Sequence, residues 1–122
     1  MALAGLAFAA QAQQGNYPSR PIRFFVPYTT GGLGDTFGRV MATHLGQNLG
    51  QPVVVENRPG GNFTVGTDAV AKAAPDGYTL VLVSTGALTV APAVYPDLPY
   101  NVARDLAPVT LAASNPFRSE EH

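Results

Sequence analysis

With two histidines and no cysteine, this 122-residue chain has few routes to covalent or metal chemistry. Disulfides, thiolate metal sites, a cysteine nucleophile and a redox Cys pair are excluded outright. His44 falls in the helical turn between Met41 and Leu45, and His122 is the last residue. Neither has Asp or Glu neighbours at the spacing of a zinc or iron site, and His44 reads as helix packing or surface rather than as a base. Ser84 stands at a strand-to-loop corner where a nucleophile could sit. Its surroundings, Leu82-Val83-Ser84-Thr85-Gly86, are not G-x-S-x-G, and no histidine follows before the terminus. A hydrolase is therefore not expected.

The glycines offer more. Gly32-Leu33-Gly34 follows an apolar run and opens an amphipathic one, and Glu56 ends the next apolar run. Those are three parts of a dinucleotide-binding fingerprint. The last glycine position of G-x-G-x-x-G falls on Phe37, however, with Gly38 one residue late, and no Gly-Lys-Ser/Thr supplies a phosphate-binding loop of the other common type. A nucleotide-binding fragment of a Rossmann-like enzyme is retained as an alternative; the main reading expects no cofactor.

What survives is anion recognition without cations. Two helix starts, near Asp35 and near Gly61 to Thr64, expose unpaired backbone N–H groups and a positive dipole end, and Ser84-Thr85-Gly86 adds hydroxyls and amides. A carboxylate fits such a site. Each dipole contributes only about 0.3–1 kcal/mol, so directional hydrogen bonds in a closed, desolvated cleft must supply most of the affinity. Asp35 would repel an anion unless its carboxylate turns back to cap its own helix, and that is the expectation. On loop pattern alone, the same glycines are equally explained as tight turns with no ligand.

The elements that must position these loops are read from periodicity. Ile22-Arg23-Phe24-Phe25-Val26 predicts a buried strand ending at Pro27. Asp35 is placed as a helix N-cap before Phe37, Val40, Met41, Leu45 and Leu49, which share one helical face, with Gly50 and Pro52 ending the helix. Val53-Val54-Val55-Glu56 gives a second strand, and Val65, Ala69, Val70 and Ala73 a small-residue helical stripe. After the Pro75-Asp76-Gly77 turn, Tyr78 to Val83 predicts a third strand, apolar enough for both sheet faces to be covered. Strand, helix, strand, helix, strand with short connections implies right-handed crossovers and a parallel sheet in the order second, first, third. All three loops then lie at the carboxyl ends of the strands, where open α/β sheets bind ligands. Beyond Leu88, Val90, Val94 and Tyr95 suggest a short helix interrupted by Pro92, Asp97 to Asp105 a loop, and Val109-Thr110-Leu111 a fourth strand. No internal repeat is found.

Composition agrees with one small domain: 7 Lys+Arg against 8 Asp+Glu give a net charge of −1, and 46% of residues are hydrophobic. Scattered cations and a near-neutral balance argue against nucleic acid as a partner. Residues 1 to 12 are small and apolar, and Ala10-Gln11-Ala12 matches a signal-peptidase site, so they are read as the remnant of a secretory signal peptide and the chain as exported to the periplasm. The basic region of such a signal is missing, since the first cation is Arg20.

The strings themselves are specific. Tyr17-Pro18-Ser19-Arg20-Pro21-Ile22-Arg23, Val26-Pro27-Tyr28 with Gly31-Gly32 and Asp35, Leu49-Gly50-Gln51-Pro52 running on to Glu56-Asn57-Arg58-Pro59-Gly60, and Ala71-Lys72-Ala73-Ala74-Pro75-Asp76-Gly77-Tyr78-Thr79-Leu80 resemble the Bug-type substrate-binding proteins of tripartite tricarboxylate transporters. The segments Tyr95 to Tyr100 and Asp105-Leu106-Ala107-Pro108-Val109 extend the likeness, which covers residues 17 to 115. The resemblance implies an α/β lobe of the periplasmic-binding-protein type II kind, a parallel sheet with helices on both faces. It implies a two-lobed receptor that closes on a small organic acid and delivers it to the transporter's membrane subunits, without catalysis. Carried onto this chain, the ligand-binding residues are Tyr28, Thr29, Thr30, Gly31, Gly32 and Asp35; Gly61, Asn62 and Phe63; and Ser84, Thr85, Gly86 and Ala87. The candidate ligands are di- or tricarboxylates, acidic amino acids and aromatic acids.

Two departures shape the expectations. Thr29-Thr30 stands where the family often has proline, adding hydroxyl donors that shift ligand preference. Family members also run on into a second lobe, whereas Pro116 to His122 no longer looks like the family. The organisation expected is signal remnant (1–12), ligand-binding lobe (13–115) and a non-family tail (116–122), as left by a frameshift, a premature stop or deliberate shortening. Weak carboxylate binding, an uncovered strand edge and self-association follow from that reading, and an inert truncated product is a further alternative.

Overall fold

The structure, a computed structural model, describes residues 15–114. The signal-remnant reading of residues 1 to 12 and the tail reading of 116–122 lie outside the described residues.

Three strands form one parallel sheet in the order β2-β1-β3, with β1 at Ile22–Val26, β2 at Val53–Asn57 and β3 at Thr79–Val81. This is the order that the short connections predicted. The β1–β2 connection carries helix α1, Leu33–Leu49, and the β2–β3 connection carries α2, Thr64–Ala71. Because the first crossover runs from β1 to β2 and the second back from β2 past β1 to β3, in opposite directions across the sheet, right-handedness puts the two helices on opposite faces. The central strand is the dry one: Ile22, Phe24, Phe25 and Val26 are all buried.

Helix α1 docks differently from its expected face. Its buried line is Gly38 and Ala42, with Gly34 and Gly46 one turn either side, while Phe37, Met41 and Leu45 are half-buried and Val40 and Leu49 are exposed. The cause is close approach. A Cβ on Gly38 would lie 2.7 Å from Val26 Cγ2, and one on Gly34 2.6 Å from the Tyr28 ring, so only small residues fit under the helix axis and the large ones wedge in from the flanks. Gly38, one place late for a dinucleotide fingerprint, thus performs the helix-to-strand packing that the fingerprint's last glycine provides elsewhere. The core on this face is Phe24, Val26 and Ala42, with Tyr28, Met41, Val53, Val55, Leu80 and Leu82 packed around them. Gly50, left-handed at φ 72°, ends the helix and donates to the Gly46 carbonyl, as expected.

The other face is covered partly by side chains. Arg23 grips Glu56 through two hydrogen bonds of 2.6 and 3.0 Å, and the Arg23 and Arg58 guanidinium carbons lie 4.9 and 5.6 Å from the centre of the Phe25 ring. Val54 on this side is half-exposed.

Four expectations fail at the margins. The third strand is three residues long and half-buried rather than a fully covered run, because it lies at the sheet edge. The helix after it begins earlier, as a π-helical turn Gly86–Val90 running into α3, Ala91–Val94. It buries Ala87 and Ala91 and leaves Val90, Val94 and Tyr95 out, and Pro92 stands in the first turn of α3 without ending it. The stretch expected as loop contains a one-turn helix α4, Val102–Asp105, capped by the Asn101 side chain accepting from the Arg104 N–H. Val109-Thr110-Leu111 forms no strand: Val109 and Leu111 are 81% and 83% exposed, with no neighbouring strand to pair with among the described residues.

Candidate functional site

Parallel strands deliver their following loops to one edge, and here loops two and three flank loop one. Loop one runs from buried Pro27 through half-buried Tyr28 and exposed Thr29, Thr30 and Gly31 to Gly32. The N-cap of α1 is Gly32 and not Asp35, which sits in the first turn. Asp35 still turns back as expected, but onto the loop. Its carboxylate accepts from the Gly31 N–H at 2.9 Å, from Asn57 Nδ2 at 2.8 Å and from Arg39 Nε at 3.1 Å. The Gly31 N–H, then Asn57, then Arg39 hold its pKa down to about 2. A buried carboxylate so satisfied does not face a ligand as a free charge.

Asn57 ties loop one to the sheet. Its amide also donates to the Tyr28 carbonyl at 3.1 Å, and its oxygen accepts from Arg39 Nη2 at 3.0 Å. Sequence reasoning passed over Asn57 and Arg39 as site residues; the signal was Asn57's place at a strand end inside the Glu-Asn-Arg-Pro-Gly string.

Loop two has unusual backbone handedness. Gly60, Gly61, Asn62 and Phe63 all have positive φ, at 118°, 56°, 52° and 71°. Glycine and asparagine tolerate this, whereas a bulky side chain is strained there by roughly 1–2 kcal/mol. Phe63 nevertheless occupies the N-cap of α2, and its ring meets the Tyr28 ring at 5.0 Å between centroids, tilted by 51°. The Arg58 N–H donating to the Val26 carbonyl at 3.1 Å, and Gly66 pressed so close to Pro27 that a Cβ would lie 2.8 Å from it, lock loops one and two together.

Loop three leaves β3 through Leu82, whose N–H bonds the Phe25 carbonyl. The Ser84 hydroxyl oxygen is enclosed and has no hydrogen-bond partner. Thr85 is exposed and Gly86 half-buried, while Ala87 is fully buried, its N–H bonded to the Ser84 carbonyl and its own carbonyl accepting from Tyr100 Oη at 3.0 Å. Ala87, like Asp35, therefore belongs to the framework behind the loops.

Charge is scarce at this edge. Arg39 is committed to Asp35 and Asn57, and Arg58 lies 3.7 Å from Glu56. Glu56, the acid of the dinucleotide alternative, is itself held by Arg23, which lowers its pKa. Among the described residues no group of three or more His, Cys, Asp or Glu could hold a metal, and no helix is long and apolar enough to cross a membrane. Donors remain: α1 and α2 both begin without a side-chain cap hydrogen bond, at this same edge.

A family profile described as tripartite tricarboxylate transporter family receptor matches residues 37–118. The protein BugT of Bordetella pertussis is 47% identical over 118 residues, covering 96% of this chain and 36% of its own length. The solved periplasmic binding protein BugD superposes with a TM-score of 0.66 at 41% identity, over 70% of this chain and 28% of that one. MatC from Rhodopseudomonas palustris, solved with bound malate, gives 0.68 at 37% identity, over 73% and 30%. The chain spans about a third of the length of the curated relatives it matches.

Proposed function

Because the chain belongs to the tripartite tricarboxylate transporter receptor family, we propose that it forms part of a periplasmic solute receptor. It captures a small organic carboxylate and presents it to a membrane permease, with no chemistry done on the ligand. The observation that carries this reading is the convergence of two helix starts without side-chain caps and the unpartnered Ser84 hydroxyl at one edge of a parallel sheet. Carboxylate oxygens accept from all three kinds of donor, and the low supply of free cations suits a ligand that must be released again. The malate bound by MatC supports the ligand class.

In this reading Thr29 and Thr30 contribute donors from loop one, whose turn is set by Gly31 and Gly32 with their N–H groups bonded to the Asp35 carboxylate and the Thr29 carbonyl, Gly61 and Asn62 contribute from loop two, and Ser84, Thr85 and Gly86 from loop three. Tyr28 and Phe63 wall the site, and Asp35 and Ala87 hold its frame. The lobe spans residues 13 to 115 and provides one wall of a two-walled cleft, the other wall supplying desolvation on closure. Thermal melts with and without a panel of carboxylic acids and NAD test the proposal. A rise in Tm with an acid and none with NAD is expected, since a ligand stabilises the state it binds. A rise with NAD alone would instead support the nucleotide-binding reading.

A further inference from the structure

We infer that Tyr100 is the positioning residue of loop three: its hydroxyl supplies the hydrogen bond that Pro92 withholds from the Ala87 carbonyl, and so holds Ser84, Thr85 and Gly86 in the arrangement that receives a carboxylate. The role in recognition rests on the receptor reading above.

The argument begins with a missing donor in the backbone. In the π-helical turn Gly86–Val90 the Ala91 N–H reaches back five residues to the Gly86 carbonyl. The next bond of that pattern would run from residue 92 to Ala87, and residue 92 is proline, which has no N–H. Ala87 is fully buried, so its carbonyl has no access to water, and a buried carbonyl left without a partner is destabilising.

Tyr100 fills the gap from a distant part of the chain. Thirteen residues on and only 4% exposed, it donates its hydroxyl to the Ala87 carbonyl at 3.0 Å. Its own backbone is fixed independently of loop three. The next residue, Asn101, accepts from the Arg104 N–H with its side chain and donates its N–H to Asp105 Oδ2 at 2.8 Å, which closes α4 directly behind the tyrosine.

The tie acts where the site needs it. The Ser84 carbonyl accepts from the Ala87 N–H at 3.1 Å and from the Leu88 N–H at 3.3 Å, so a shift of Ala87 passes to Ser84. On the other side of the loop β3 ends at Val81, and Leu82 donates to the Phe25 carbonyl at 2.9 Å. The Ser84 hydroxyl has no partner in the protein, so its aim is set by the backbone that carries it. Tyr100 also lies beside the fully buried Thr67, whose hydroxyl donates to the Phe63 carbonyl at 2.9 Å, so one side chain meets both loop three and the helix that follows loop two. A loop released from this tie holds the receiving arrangement for only a fraction of the time, and the apparent affinity falls by that fraction.

The test is a double-mutant cycle on the full chain, Tyr100→Phe against Pro92→Ala, with succinate and benzoate titrations followed in 15N–1H spectra, which register millimolar binding. Tyr100→Phe keeps the ring and removes the donor, while Pro92→Ala returns an N–H to the turn, where it can serve Ala87. Tyr100→Phe should weaken the acid that binds by at least about threefold. Pro92→Ala alone and the double variant should both stay within about twofold of the unmodified chain. A ring that merely packs predicts no such recovery, because an N–H at position 92 does nothing for packing at position 100. Should Tyr100→Phe lose spectral dispersion, the double variant should regain it. Unchanged affinity in a dispersed Tyr100→Phe, or a loss of binding or dispersion that Pro92→Ala fails to repair, overturns the inference and leaves the receptor reading standing. A folded, unmodified chain that binds neither acid overturns both.

Discussion

Asn57 and Asp35, 22 residues apart in the chain, meet amide to carboxylate at 2.8 Å where β2 leaves the sheet and α1 begins. The contact makes one unit of the first two loops. Asn57 holds the Tyr28 carbonyl with the same amide, and Asp35 holds the Gly31 N–H, so the glycine turn between them is fixed from both sides before any ligand arrives. In the proposed reading this bracing fixes the shape of loop one in advance, and a preorganised loop loses less entropy on binding.

The carboxylate at the centre of that unit makes the fold acid-sensitive. With Asp35 held at about pH 2 against an ordinary value of 3.8, its contribution is fully present above about pH 4 and is lost as the pH falls toward 2. Stability measured by urea denaturation should therefore decline through that window, and Asp35→Asn should flatten the decline while lowering the midpoint at pH 7. Part of the slope will remain, because Asp105, also held at about 2 by Arg104, titrates in the same range.

Gly38→Ala should cost about 1–3 kcal/mol, since the added methyl meets Val26 Cγ2 at 2.7 Å on a fully buried strand residue and α1 must lift to admit it. Denaturant titration gives the loss directly. A cost near zero would mean that the helix is not seated on β1 as described.

Tyr100→Phe should lower stability by about 0.5–1.5 kcal/mol, the worth of one neutral hydrogen bond, because the buried hydroxyl donates to the Ala87 carbonyl at 3.0 Å. Burial also raises this phenol's pKa, so ultraviolet titration should show one tyrosine ionising late.

Ser84→Ala separates ligand recognition from folding. The enclosed hydroxyl has no partner in the unliganded protein, so removing it should leave Tm unchanged or slightly raised. Carboxylate affinity should fall about tenfold, corresponding to the lost hydrogen bond to a charged group. Isothermal titration of the two proteins measures the difference, and equal affinities would remove Ser84 from the site.

The chain's local signals carried the architecture. Apolar runs of strand length at residues 22–26 and 53–56, a helical period between them and Gly or Pro at each boundary are properties of neighbouring residues, and they sufficed for the order β2-β1-β3 and for the edge where the loops collect. The glycine, threonine and serine loops were legible for the same reason: turn chemistry is written where the turn is. Other features depended on who meets whom across the fold. Nothing local distinguishes Val40, left exposed, from Met41, packed on the core; the choice follows from how closely α1 approaches Val26. Asn57 became a brace because β2 ends opposite the first turn of α1. Phe63 adopts a backbone handedness its own preferences oppose, since the α2 start and the Tyr28 ring fix its place. Val109 to Leu111 has strand-forming residues but no strand, for pairing needs a neighbour that propensity cannot supply. Periodicity and turn residues thus determined the elements and their order, while close packing and long-range hydrogen bonds decided which side chains face the site, because those energies exist only after distant segments have met.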